Sequence, residues 1–456
     1  MLALELVLAL ELVLETHVGV AVSTSDRNDL EIWRYGDSLV VERLVFRYLI
    51  IGGGMAAGSA AKALRAEDPT GSIGVVTSEP DLPYKRPPLS KGLWKDPEQR
   101  IDLRTGELGL DLMLGRTATD IDVEARTASL DDGATLRFEY LLLATGARAR
   151  SLPDLPAGGP VLAYRTLADY RVARARVTDG SRVLVVGGGF VGSELAAGLR
   201  GVGAEVHMVF PEAAIGAARY PAELAETITD TYRDRGVQVH AGSTVASAAI
   251  GPSSVDVVLT DGAELTADLV VVGIGTKPND ELASRAGLAT AAGIVVDDRL
   301  RVAWAEPRGA IGPLDHVLAA GDVAVFPWPD PLHTGRIEHE DNAVMMGAHA
   351  GRQLAAAHRA KHAGTPVELS PYTHLPFFYS DLFDDGYEAV GTLDSRLDTV
   401  VDWHDGTSAG VVYYLSDRVV VGVLLWNTWG QVDAARDLVL SNARVTREDL
   451  IGRLKG

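Results

Sequence analysis

The chain carries one unit twice, and that repeat limits its fold more than any other feature of its 456 residues. The first copy opens with a short apolar run at 46–51 (FRYLII), the kind that forms a parallel strand buried on both faces. GGGMAAG follows at 52–58, then a helical stretch to about Arg65, a second strand at 73–77 (IGVVT), and Glu79 just past its end. Gly52, Gly54 and Ala57 fall on the G-x-G-x-x-(G/A) positions. There the first glycine permits a tight turn and the second lets a pyrophosphate approach the backbone. The third small residue lets helix and strand pack closely. Glu79 lies about 25 residues after Gly54, where a ribose-binding carboxylate is expected.

The second copy starts with RVLVV at 182–186 and places Gly187, Gly189 and Gly192 at the same spacing. A helix continues to about Gly203, and the strand 205–210 (EVHMVF) leads to Glu212. One glycine triplet is weak evidence. Two complete strand–turn–helix–strand–acid units, about 135 residues apart, predict an α/β chain with two dinucleotide sites. EAAIGAA at 212–218 sets no cation immediately after Glu212. A carboxylate there accepts a ribose hydroxyl and repels a 2′-phosphate, so NADH is favoured over NADPH. Arg219 is the one cation near enough in sequence to oppose that preference.

Composition removes whole classes of chemistry. The chain has no cysteine, hence no disulfide framework, zinc–thiolate site, iron–sulfur ligation, thiol nucleophile or active-site dithiol. Acidic residues outnumber basic ones by 62 to 42, and the net charge of −20 disfavours nucleic acid and anionic membrane surfaces as partners. An apolar content of 47 % supports several cores, and the length suits two to four domains. Residues 1–45 read as a peripheral extension without a chemical role. LALELV occurs at 2–7 and again at 8–13, and its alternation is a strand period although its residues favour helix. The segment is left unassigned. It is too short and too acidic to span a membrane. No Lys or Arg precedes Arg27, so no signal peptide is expected and a cytoplasmic location is.

LLLATGARAR at 141–150 and VLAAGD at 317–322 each read as an apolar strand ending in a glycine turn. Asp322 stands at the start of an expected helix, either as its cap or as an acceptor for a sugar or ribityl hydroxyl. These pieces together resemble the two-dinucleotide-binding-domain flavoproteins. LPYKRPPLSKGLW (82–94), RIEHEDNAV (336–344), PFFYSDLFDDGYEAVG (376–391) and GVVYYLSDRVVVGVLLWN (410–427) are similar to segments of the apoptosis-inducing factor family. That resemblance runs from about Phe46 to the C-terminus. Ferredoxin reductases of oxygenase systems share the RPPLSK segment and the general architecture.

The resemblance implies two Rossmann-like domains, for FAD and NADH, plus a C-terminal α+β domain. The FAD domain is split into 46–157 and 274–370, the NADH domain is 158–273, and the C-terminal domain is 371–456 with a hairpin at 411–425 broken at Ser416–Asp417. It also implies roles. Lys91 lies beside the flavin and pairs with Glu194, Arg86 contacts the pyrophosphate, and Arg165 contacts FAD. Phe190 covers the flavin face on which nicotinamide stacks. Glu338, His339 and Tyr379 join Gly52, Gly54, Ala57, Glu79 and Asp322 around FAD. Val191 and Gly273 join Gly187, Gly189, Gly192 and Glu212 around NADH. From the residues alone, Lys91 also fits a solvated lysine, Glu194 a helix N-terminal acid and Phe190 a core residue. Two positions depart from the family pattern. Glu340 replaces a second histidine, and Tyr379 stands where Trp is commoner. The histidines show no ligand spacing, and no metal is expected.

The implied activity is hydride transfer from NADH to FAD, with electrons leaving the flavin directly for an external acceptor: a quinone, oxygen or a small redox protein. The alternatives are a ferredoxin or rubredoxin reductase of an oxygenase system, and an NADH-responsive redox-sensing homodimer with slow turnover. Only 18 residues separate Gly391 from Gly410, so the insert tied to the family's cell-death role is not expected, nor is its DNA binding.

Overall fold

A computed structural model describes residues 44–455 except 306–311, 329–333, 405 and 407, together with three N-terminal strands, Val20–Val22, Leu30–Tyr35 and Ser38–Arg43. Those three pair antiparallel. The LALELV repeat lies outside the described residues.

The first repeat builds β1 (Val45–Ile51), α1 (Met55–Glu67) and β2 (Ile73–Thr77), and β3 (Thr135–Leu143) completes its centre. β2, β1 and β3 lie side by side and parallel, with Asp111–Leu114 outside β2. Leu49, Ile50 and Leu141 to Leu143 are completely buried, because both sheet faces are covered. The second repeat forms a separate all-parallel sheet. Its members are β4 (Val161–Ala163), β5 (Arg182–Val186), β6 (Glu205–Phe210), β7 (Gln238–Ala241) and β8 (Leu269–Val272), in the order β4-β8-β5-β6-β7. Helix α2 (Phe190–Gly201) connects β5 to β6, and α3 (Ala222–Asp234) connects β6 to β7. The chain then returns to the first sheet, where β9 (Val317–Ala319) pairs parallel with β3.

Helix α4 (Glu340–Ala363) crosses α1 at very close range. A Cβ on Gly347 would sit 2.2 Å from the Ala56 carbonyl oxygen, and one on Gly351 2.5 Å from that of Ala60. Two glycines one turn apart thus let the backbones touch. The C-terminal part is an antiparallel sheet of β10 (Phe377–Leu382), β11 (Asp385–Gly391), β12 (Asp398–Trp403), β13 (Gly410–Ser416) and β14 (Val419–Trp426), backed by α5 (Val432–Leu440). The hairpin turns at Asp417 and Arg418, both at positive φ.

One expectation fails. No helix follows Asp322, because the chain enters the strand Ala324–Pro327 instead. Pro327, Pro329 and Pro331 deny a helix its backbone donors, and Val325 and Phe326 favour the pleated form. Asp322 is therefore no helix cap. Among the described residues, no helix is long and apolar enough to cross a membrane.

Candidate active site

Both glycine turns open into one cleft of about 1560 Å³. Gly52 has φ +128°, and a Cβ there would lie 2.0 Å from the Ala144 carbonyl oxygen. Gly187 has φ +118°, and its Cβ would lie 2.5 Å from the Gly273 carbonyl oxygen. Gly273 thus forms the wall of the second turn. At Gly54 and Gly189 the space is open, with no atom within 4 Å of an ideal Cβ. These two glycines are also the N-caps of α1 and α2, and neither helix start has a side-chain cap. Uncapped helix N-termini facing an open cradle suit phosphate oxygens, so the residues present fit two dinucleotides. The third motif position differs. Ala57 is buried without conflict, whereas a Cβ on Gly192 would stand 2.0 Å from the Gly187 carbonyl oxygen.

Around the first turn the charged residues are tied to one another. Glu79 accepts from Arg86 at 2.5 Å and from the Tyr84 hydroxyl at 2.5 Å. Arg86 also donates to the Arg165 carbonyl at 3.2 Å, and Arg165 pairs with Asp322 at 2.5 Å. Arg336 donates to the Asp322 carbonyl at 2.6 Å and pairs with Glu338 at 2.7 Å, while Thr276 donates to Glu338 at 2.5 Å. Glu79, Arg86, Arg165, Asp322 and Glu338 all line the cleft. Around the second turn Glu212 lines the same cleft but is exposed, and its carboxylate takes no hydrogen bond or ion pair among the described residues.

Where the two halves meet, Lys91 Nζ lies 2.9 Å from Glu194 Oε1, both side chains largely buried. Glu194 further accepts from the Ser90 hydroxyl at 2.6 Å and the Ser380 hydroxyl at 2.5 Å. The Lys91 ammonium sits 4.4 Å from the Tyr379 ring centroid, and the Tyr379 hydroxyl donates to Glu340 at 2.9 Å. The two positions that depart from the family pattern are therefore bonded to each other. His339 stacks on Phe378 with ring centres 4.3 Å apart, and Phe190 meets both rings edge-on. Burial pushes the His339 imidazole down to about 4, so it is neutral near pH 7. The Arg219 guanidinium lies 4.0 Å from the Phe190 ring centroid, committed to that face. Val191 lines the cleft beside Phe190.

Sequence reasoning missed Tyr84, Ser90, Ser380, Phe378, Arg219's stacking role and Arg336. Most lie inside the quoted segments, but the partners that give them a role come from distant parts of the chain.

A family model described as pyridine nucleotide-disulphide oxidoreductase matches residues 46–347, and one described as apoptosis-inducing factor, mitochondrion-associated, C-term, matches 402–441. The chain belongs to the pyridine nucleotide-disulphide oxidoreductase family. Apoptosis-inducing factor 1, mitochondrial, of Dictyostelium discoideum is 30 % identical over 89 % of this chain and 80 % of its own length. The anthranilate 1,2-dioxygenase system ferredoxin–NAD(+) reductase component of Burkholderia cepacia is 34 % identical over 87 % of this chain and 94 % of its own. Among solved structures, the ferredoxin reductase for the CYP199A2 system from Rhodopseudomonas palustris superposes with a TM-score of 0.76. It is 31 % identical and covers 88 % of this chain and 96 % of that one. The expected family, α/β fold and pair of cofactors, FAD and NADH, all stand. The protein is an NADH-dependent flavoprotein oxidoreductase that passes electrons to an acceptor.

Proposed function

We propose that the acceptor is a small one-electron redox protein of the ferredoxin class. The observation that carries the reading is the single cleft shared by both cradles, closed at their junction by the Lys91–Glu194 pair. With no cysteine in the chain, no dithiol relay is available between cofactor and acceptor. The ferredoxin–NAD(+) reductase component matches this chain over nearly its whole length, which favours that acceptor class over a quinone.

When bound, FAD supplies the hydride acceptance and the release of single electrons. The residues supply the rest. Gly52, Gly54 and Ala57 form the cradle for it, and Arg86, Arg165 and Asp322 are placed to hold its phosphates and hydroxyls. Lys91 holds a positive charge in a poorly solvated place, which favours an anionic neighbour, and Glu194 offsets the cost of burying that charge. Ser90 and Ser380 keep Glu194 from turning away. Phe190 carries the Arg219 guanidinium on one face, and neutral His339 adds no charge of its own beside that ring. Gly187, Gly189 and Gly192 make the second cradle, with Glu212 at its rim to accept a ribose hydroxyl.

The test is stopped-flow reduction of the FAD-replete protein by NADH, followed by mixing with ferredoxin, rubredoxin, a quinone or oxygen. Fast reoxidation by ferredoxin is expected. Reoxidation by quinone or oxygen alone overturns the acceptor class, and a persistent long-wavelength band with slow reoxidation points to the redox-sensing alternative.

A further inference from the structure

Helix α4 leaves the cleft at Glu340 and carries two histidines at its other end. We propose that Glu139, His358 and His362 form a binding site for a zinc-type divalent transition ion. It lies roughly 28 Å along the helix from His339, at 1.5 Å per residue.

The geometry is that of a ligand set. One ligand atom from each of the three residues lies within 4.8 Å of the others. His358 and His362 stand at i and i+4, on the same helix face, the spacing by which two imidazoles can share an ion. Their ring centres are 4.2 Å apart. Glu139 arrives from β3, more than two hundred residues earlier, so no local sequence motif contains the whole set. Against the expectation of no ligand spacing among the histidines, His358 and His362 form an i, i+4 pair, and folding adds the carboxylate.

His358 supplies the second, independent sign. It is only 9 % exposed, and its Nδ1 is buried without a hydrogen-bond partner. That atom stands 3.7 Å from Glu139 Oε2. The gap is too long for a hydrogen bond. It is close to the edge of a tetrahedral site with bonds of about 2.0–2.1 Å, roughly 3.3 Å. Tyr48 and Tyr140 press edge-on against the His358 ring, with centroids 6.0 and 5.9 Å away, and hold it in place. An orphaned ring nitrogen 3.7 Å from a carboxylate, in a set that a second imidazole completes, is what an ion would satisfy.

The chemistry selects the class of ion. Two imidazoles and one carboxylate suit zinc, cobalt, nickel or copper, and not magnesium or calcium. His362 is exposed, so remaining coordination positions are open to water. Two cations oppose binding: Arg47 acts on His358, and Lys361 Nζ stands 4.0 Å from Glu139 Oε2. Lys361 is itself exposed and free to swing away. A bound ion would pin the end of α4 to β3 and stabilise the fold by mass action.

The experiment is calorimetric titration of the tag-free, chelator-stripped, FAD-replete protein with zinc chloride, with magnesium chloride as the contrast. We expect one equivalent of zinc and no magnesium heat. His362→Ala and Glu139→Gln should each weaken zinc by at least about tenfold, and Lys361→Gln should tighten it. His240→Ala should leave affinity unchanged, because His240 belongs to a different pair, hydrogen-bonded to His207 at 3.2 Å. Zinc should raise the Tm of the wild type and not of His362→Ala. Absence of one-equivalent binding, wild-type affinity in His362→Ala, or a loss that follows His240 overturns the site.

Discussion

The turns at 52–57 and 187–192 have the same backbone and opposite surroundings. Their cap glycines differ by two degrees at most, with φ −85°, ψ −168° at Gly54 and φ −84°, ψ −166° at Gly189. Beyond that, Glu79 is locked between Arg86 and Tyr84, and Arg165 and Asp322 close the ring with segments from three parts of the chain. Glu212 stands exposed and unengaged. The motif sets where a pyrophosphate lies, and its neighbours set how long the ligand stays. A cradle rimmed by interlocked charges suits a cofactor that remains bound. One with a free carboxylate at an open rim suits a cofactor exchanged every turnover.

The sharpest break between the two turns is at the third motif position. Gly192→Ala forces a Cβ to within 2.0 Å of the Gly187 carbonyl oxygen, and backbone cannot yield as a flexible side chain can. We expect NADH reduction to be lost, FAD to be kept, and stability to fall by about 1–3 kcal/mol. Ala57→Gly removes only a methyl group and should cost about 1 kcal/mol through helix propensity, with FAD retained. Flavin content, thermal unfolding and the rate of reduction by NADH separate the outcomes. Normal NADH reduction in Gly192→Ala would show that α2 shifts freely and that the second turn is not constrained as described.

Glu212 and Glu79 test the rim. Glu212→Ala removes an acceptor to a ribose hydroxyl, about 1.5–3 kcal/mol for a bond to a charged group, so kcat/KM for NADH should fall by about tenfold or more. The NADPH value should change far less, narrowing the preference. Arg219→Ala should leave the preference intact, because that guanidinium is engaged on Phe190. A preference that responds to Arg219 instead would restore it as the reader of the 2′-phosphate. Glu79→Ala should release FAD, leaving Arg86 without its carboxylate.

Legibility followed sequence distance. Strands at 73–77, 182–186 and 205–210 have the bounds their apolar runs indicate, since each run is short and meets a glycine or an acid within two residues of its end. The C-terminal hairpin is equally local. The misplaced helix after Asp322 came from weighing a glycine turn without the prolines beyond it. The bracing of Glu194 was out of reach for another reason. Ser90 and Ser380 lie 104 and 186 residues from it, and nothing in either local sequence indicates a carboxylate partner. The same holds for His339 on Phe378.

The next effect is a slope rather than a loss, and it comes from the junction between the two units. The His339 imidazole is pushed down to about 4 in the folded chain, against 6.5 when free. A histidine kept neutral by burial contributes stability that is complete above about pH 6.5 and is lost as the pH falls toward 4. His339→Asn should flatten the pH dependence of unfolding in that window. Denaturant titrations from pH 4 to 7 check it, and an unchanged slope would mean the ring is solvated in both states.

The smallest effect is the most discriminating, because Lys91 and Glu194 come from opposite sides of the comparison. Lys91 ends the RPPLSK segment that follows the first unit, and Glu194 lies on α2 of the second. Lys91 is placed to favour an anionic reduced ring by its charge, so Lys91→Ala should lower the flavin midpoint potential. A loss of ~1.4 kcal/mol corresponds to about 30 mV for a two-electron couple. Glu194→Ala leaves the cation unneutralised and should raise the potential. It also frees the hydroxyls of Ser90 and Ser380, so some loss of stability should accompany it. General damage shifts both variants the same way; only a charge pair facing the ring shifts them apart. A xanthine oxidase-coupled redox titration of the FAD-replete wild type and both variants measures this. Potentials that stay put in both would place Lys91 away from the ring, leaving the pair as a clasp between the two units.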